Sequence, residues 1–253
     1  MNVELDFEKR YRLVREVIET IVLTVLMFLV IRLAVQNFNI DGHSMEPTLH
    51  NTELVLVDKW TYRFHTPARG DVIVFHAPPQ PTQDYIKRII GLPGDVITVQ
   101  NTSVYVNGKL LTEFYVKPQN QGNPYPPITN LIIPQHDYFV LGDNRMGSSD
   151  SRDWGCVPQQ SIIGRAAIVY WPLGQDNDGL LPNVTSAYDS IPASPAAQLK
   201  NTTQCHVITN PAQPYASASV LPTQHMPLDT DTALLLLMPG LFVACSYRRQ
   251  HRS

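Results

Sequence analysis

Three segments of the sequence carry residues able to do chemistry. In Asp41-Gly42-His43-Ser44-Met45-Glu46-Pro47-Thr48-Leu49 the reactive group is the Ser44 hydroxyl. A hydroxyl is a weak nucleophile until a base takes its proton, and Gly42 beside it lets the backbone come close to a substrate carbonyl. Taken alone, the segment reads equally as a polar turn in which Ser44 bonds the backbone. The second group is Lys87, set between Ile86 and Ile89-Ile90. Burial disfavours an ammonium and can lower a lysine pKa by about 3 to 5 units from roughly 10.4, which leaves a neutral amine as base near pH 7. An isolated lysine on a strand more often faces water. The third segment, 141–155, alternates Asp143, Arg145, Ser148, Asp150 and Arg152, so that carboxylates and guanidinium groups can pair and a serine can fix an amine. It also reads as a charged turn or a calcium loop, although EF-hand spacing is not met. His43 raises a Ser/His arrangement, but adjacent side chains of an extended segment point to opposite faces, which favours Lys87 as the base.

Placed in order behind an apolar N-terminal segment, these residues resemble the type I signal peptidases of the bacterial and organellar kind, from that segment to about Trp171. The motifs are Ser44-Met45-x-Pro47-Thr48-Leu49; Arg69-Gly70-Asp71-Val72-Ile73-Val74-Phe75; Tyr85-Ile86-Lys87-Arg88-Ile89-x-Gly91-x-Pro93-Gly94-Asp95; and Gly142-Asp143-Asn144-Arg145 with Ser148-x-Asp150-Ser151-Arg152. A lysine base departs from the endoplasmic-reticulum enzyme, which uses histidine.

The resemblance implies a membrane-bound serine endopeptidase that removes N-terminal signal peptides from secreted preproteins, with no metal and no cofactor. By it, Ser44 attacks the scissile carbonyl and Lys87 is general base. Ser148 holds the lysine amine, and Asp143 with Arg88 and Asp150 with Arg152 brace the site. The oxyanion hole uses the Ser44 N–H. Some relatives carry a hydroxyl residue two positions before the nucleophile, where this chain has Gly42; a backbone or water donor must substitute, and one such donor is worth about 2.7 to 4 kcal/mol. Phe38, Ile40, Met45, Leu49, Tyr85 and Ile86 would line shallow subsites for Ala-x-Ala, with the peptide added as a strand beside 85–87. The alternative is that these are ordinary core and interface residues, a reading that fits Phe38 better than Tyr85. A non-cleaving, membrane-anchored peptide-binding β domain would leave Ser44, Lys87 and Ser148 together unexplained. A self-cleaving repressor protease also uses a Ser/Lys dyad, but needs a DNA-binding helical domain where this chain has an anchor.

The elements that must position these groups follow from composition and patterning. The 253 residues suffice for one core with an anchor and a tail, and charged residues, at 16%, fall below the usual quarter or so, which points to a membrane. A net charge of -3 without a basic patch leaves no footprint for nucleic acid. Residues 1–16, with Lys9, Arg10, Arg12 and Arg15, read as a cytoplasmic N-terminus, and 17–36 as a transmembrane anchor in which Glu19 and Arg32 snorkel. The positive-inside rule then places the rest outside the cell membrane, with membrane lipid as a partner. A cleaved signal is opposed by the bulky, polar Val35-Gln36-Asn37-Phe38 where small residues would be needed.

Residues 37–181 read as the catalytic domain, mainly β, of the signal-peptidase-like barrel or sandwich kind. Short β-rich runs at 53–57, 71–75, 95–99, 104–106, 138–141 and 166–171 are bounded by turn residues, and Asn107-Gly108 predicts a two-residue hairpin. The Pro- and Asn-rich 118–134 reads as a surface loop without chemistry, and 182–253 as a low-complexity tail. Within that tail lies a short apolar segment, 233–245, whose thirteen residues fall short of a bilayer crossing although the basic residues after it fit a cytoplasmic end, so a second span stays open beside an interfacial segment. Cys156, Cys205 and Cys245 show no metal or redox spacing, and a Cys156–Cys205 disulfide stays open.

Overall fold

The computed structural model describes residues 2–172, 174, 179–195, 203–205 and 219–222. The apolar segment 233–245 and Cys245 lie outside the described residues.

Helix α1 (Asn2–Ala34) contains a stretch, Tyr11–Ala34, long and apolar enough to cross a membrane, with Leu23, Leu26 and Met27 exposed along it. It ends two residues earlier than the expected 36. From Val35 the pattern changes to period two, with Phe38 and Ile40 buried and Asn37 and Asp41 exposed, which is a strand with one wet face. Strand β1 (Val35–Asp41) therefore starts where α1 stops, and the Lys59 N–H donates to the Ala34 carbonyl (2.9 Å) across the junction.

The other strands are β2 (Leu54–Asp58), β3 (Val72–Ala77), β4 (Gln80–Gly91), β5 (Val96–Gln100), β6 (Ser103–Val106), β7 (Lys109–Leu110), β8 (Ile128–Ile132), β9 (Asp137–Leu141), β10 (Val157–Pro158), β11 (Ile162–Trp171), β12 (Gly179–Leu180), β13 (Thr203–Gln204) and β14 (Ser219–Pro222). Helical turns α2 (Thr61–Phe64) and α3 (Ser151–Trp154) interrupt them. β1, β2, β11, β3, β4 and β14 follow one another around a closed ring, each antiparallel to the next. Alternate residues of these strands, Phe38 and Ile40, Val55 and Val57, Val72 and Val74, fill its interior together with Met45, Leu49 and Ile86. Closure leaves this ring no free edge.

The second sheet, β13-β8-β5-β6-β7, covers its own core around Ile97, Val99, Val106 and Ile133. The hairpin between β6 and β7 turns at Asn107 (φ 53°) and Gly108 (φ 79°), the two positive angles that its type I′ turn requires. β4 changes partner along its length. Its middle pairs with β14 (Tyr85↔Ser219), and its end passes to β9 (Arg88↔Leu141).

Two expectations change. Residues 118–134 are not all loop: β8 pairs with β5, because Ile128, Leu131 and Ile132 supply an apolar edge that the surrounding prolines mask. Packing also continues past residue 181. Val184, Ala187 and Tyr188 are buried on the second core, and Cys205 is joined to Cys156 by a disulfide. The apolar spacing 184, 187, 188, 191 lets a 3₁₀ turn (Thr185–Tyr188) seat one face despite its polar composition.

Candidate active site

β1 delivers the chain to a turn containing Ser44, and β4 carries Lys87. Lys87 sits where β4 changes partner, between the last residue paired with β14 and the first paired with β9. Its Nζ donates to Ser44 Oγ at 2.7 Å and to the Ile86 carbonyl at 3.0 Å, and both side chains are sealed from solvent. Desolvation lowers the Lys87 pKa to about 7; Asp150 and Asp143 pull it back up, and Arg152 pushes it further down. The Tyr85 ring stands 5.5 Å from the amine.

The Ser44 turn is held by amides. Asn144 donates its N–H to the Ser44 carbonyl (3.0 Å) and its side chain to the His43 carbonyl (3.1 Å); Asn120 donates to the Glu46 carbonyl (2.8 Å). Asn51 Oδ1 accepts the Gly42 N–H (2.8 Å). Gly42 has φ 108°, a value that side-chain-bearing residues rarely adopt, which suits glycine to this turn. His43 is exposed, with Nδ1 2.7 Å from Glu46 Oε1, and is turned away from the Ser44–Lys87 pair.

Behind the dyad lie two buried ion pairs. Arg88 meets Asp143 through both nitrogens (Nε–Oδ1 2.8 Å, NH2–Oδ2 2.6 Å), donates to the Gly70 carbonyl and lies over the Tyr115 ring, and Thr48 donates to Asp143. Arg152 clasps Asp150 in the same way (2.8 and 2.7 Å). Burial pushes the Asp150 carboxyl up, but Arg152 and the Gly142 N–H outweigh it and hold it below the usual range. With each charge matched and hydrogen-bonded, the pairs are tolerable in a dry interior; removing one partner strands the other. Asp143→Ala is therefore expected to cost about 3 to 5 kcal/mol by leaving Arg88 uncompensated, read as a fall in the unfolding midpoint in detergent. A loss below about 1 kcal/mol would show that the pair contributes little.

Ser148 is buried in the same cluster. Its hydroxyl lies beside the Asp150 carboxylate and does not meet the lysine amine, so the expected contact is not made here. Lys87 uses Ser44 and the Ile86 carbonyl instead. Gly142 permits this crowding: a Cβ there would come within 2.2 Å of Ser148 Oγ and 2.5 Å of the Ser44 carbonyl oxygen. Phe38, Ile40, Met45, Leu49 and Ile86 belong to the ring interior, and Tyr85 to a third apolar cluster with Phe75 and Trp154.

Sequence reasoning missed several supports. Glu113 binds Arg145, whose Nε donates to the Gly142 carbonyl. Tyr188 bonds Tyr115 beside Arg88. Within 118–134, Asn120 holds the Glu46 carbonyl, Tyr125 donates to the Ser148 carbonyl and Gly122 accepts from Arg152, so this segment does brace the site. Thr48 and Asn144 lay inside recognised motifs; Glu113 and Tyr188 had no local signal.

A family model described as signal peptidase, peptidase S26, matches residues 14–171. The chain is 41% identical over 170 residues to signal peptidase I of Leptolyngbya laminosa, covering 63% of this chain and 81% of that one. To signal peptidase I U of Bacillus subtilis (strain 168) it is 36% identical over 186 residues, covering 69% and 97%. A crystal structure of a signal peptidase I from Enterococcus faecalis V583 is 36% identical, with a TM-score of 0.35 over 40% of this chain and 97% of that one.

Proposed function

This chain belongs to the signal peptidases of peptidase family S26, serine peptidases that remove signal peptides from preproteins, and on that premise we propose that Ser44 is its nucleophile and Lys87 its general base. The observation that carries the assignment is the 2.7 Å contact between the Lys87 amine and Ser44 Oγ, sealed from solvent on both sides. The neutral amine takes the Ser44 proton as Oγ attacks the scissile carbonyl carbon. The ammonium then returns that proton to the departing amine, leaving an acyl ester on Ser44. Water, deprotonated by Lys87, attacks the ester and frees Ser44. The Ser148 hydroxyl, buried in the same cluster beside Asp150, is the reserve partner for the amine once Oγ is acylated, a positioning role. Asp143 with Arg88 and Asp150 with Arg152 hold the frame. The developing oxyanion is met by the Ser44 N–H, with no side-chain donor at Gly42.

The substrate lies between β1 and β4, which run in the same direction one strand-width apart, with Phe38, Ile40, Met45, Leu49, Tyr85 and Ile86 limiting the depth of its subsites. Such walls select Ala-x-Ala. Replacing either alanine of a precursor by leucine is expected to lower kcat/KM by roughly 10- to 200-fold, with product masses marking the bond cut. Equal cleavage of the leucine precursors would remove the subsite assignment.

The protein is membrane-anchored through α1, once through the bilayer, N-terminus in the cytoplasm and catalytic domain outside the cell (inner) membrane. The basic residues before the apolar stretch and the Cys156–Cys205 disulfide, a bond of oxidising compartments, support this orientation. Beside the helix end, Leu33, Lys59, Trp60, Tyr62 and Arg63 line a pocket of about 540 Å³, a cationic and aromatic lining suited to lipid headgroups.

A further inference from the structure

The gap between β1 and β4 is not empty. β14 lies in it, pairing Phe38↔Pro222, Asn39↔Leu221, Ile40↔Val220 and Asp41↔Ser219 on one side, and Tyr85↔Ser219 and Asp84↔Val220 on the other. It is the strand that closes the ring, and among the described residues it comes from the segment farthest in sequence from the two strands it joins. We propose that Ser219–Pro222 is an intramolecular occupant of the substrate groove, a competitive inhibitor carried in cis; the inference rests on the reading of that groove as the substrate site.

Strand direction explains why this occupant inhibits rather than serves as substrate. β1 runs toward Ser44 and β4 runs toward Lys87. A substrate whose residues before the scissile bond fill the groove must arrive with its carbonyl end at Ser44, and so runs parallel to both strands. β14 is antiparallel to both, with its N-terminal end, Ser219, nearest the catalytic end. Its backbone satisfies the groove's hydrogen-bonding edges while presenting its carbonyls in reverse order, so the acyl-transfer geometry is not met. The preceding sequence Ala216-Ser217-Ala218 has the small-x-small composition of a cleavage site, which makes cleavage there a sharp test of the polarity. A tethered segment competes at an effective concentration up to the millimolar range, and the apparent affinity of a substrate falls by the fraction of molecules whose groove is closed.

The test uses the full-length protein in phospholipid vesicles, with Ser219→Pro and Val220→Pro combined. Proline removes the strand's N–H donors and leaves the ring interior, the dyad and the Cys156–Cys205 disulfide untouched. The apparent KM for a precursor is expected to fall about tenfold with kcat unchanged. An unchanged KM overturns the proposal. In a second arm, the peptide Tyr-Ala-Ser-Ala-Ser-Val-Leu-Pro, matching 215–222, is added to the double-proline variant. Competitive inhibition without cleavage supports the reversed occupant, and either cleavage after its second alanine or absence of inhibition overturns it. Failure of the dyad reading is seen separately, as precursor cleavage that survives in Ser44→Ala.

Discussion

Ser44→Ala is expected to lower kcat on a precursor by about 10⁴-fold or more, and Lys87→Ala by a similar factor, with the domain still folded. On the proposed assignment the two groups act as one unit: without the amine the hydroxyl keeps its proton, and without the hydroxyl the amine has nothing to activate. The double variant should therefore be scarcely worse than either single one. Lys87→Arg should not recover activity, because a guanidinium does not release its proton and cannot serve as base. Circular dichroism and an intact Cys156–Cys205 bond would confirm folding. Retained cleavage in Ser44→Ala, with the substitution verified, would end the assignment of the nucleophile.

The second large effect is removal of the buried Lys87 charge, which should abolish activity and raise stability. Lys87 titrates near 10.5 in the unfolded chain and, through burial, at about 7 in the folded one. Activity requires the neutral amine, so kcat/KM should rise with pH through about 7, as the free enzyme's base loses its proton. Between about 7 and 10.5 the unfolded chain binds one proton more than the folded chain, so this residue makes folding more favourable as pH rises across that window. Below about 7 both states are protonated and the cost of burying the ammonium is felt in full, on the order of 4 to 5 kcal/mol. Lys87→Met, which fills the same volume without a charge, should abolish activity and raise the unfolding midpoint, more at pH 6 than at pH 10. A midpoint that shifts equally at both pH values would mean that the folded amine is not held near neutrality.

How much of this was legible in the sequence depended on whether the signal was local. The hairpin at Asn107-Gly108, the all-β runs and the Ser44 and Lys87 motifs are contiguous, so residue type and spacing display them. β1 was hidden because it follows the anchor with no turn residue between them, and only the alternation of Phe38 and Ile40 betrays the change of period. β8 was hidden by the prolines around it. Tyr188, Glu113 and Asn120 support the site from far along the chain, through contacts that only the closed fold creates. Ser148 shows the opposite limit. Its motif marks it as important, but only the fold reveals that its hydroxyl sits beside Asp150 while Lys87 leans on Ser44.

The direct passage from α1 into β1 sets a tether. No loop separates the helix from the strand, and seven extended residues span at most about 23 Å, so the Ser44 turn stays within a fixed reach of the end of α1. That reach can be altered only in steps of two residues, since an insertion of one would turn Phe38 and Ile40 out of the ring. The height above the lipid at which a peptide is cut is thus coupled, through one strand, to the packing that keeps the barrel closed.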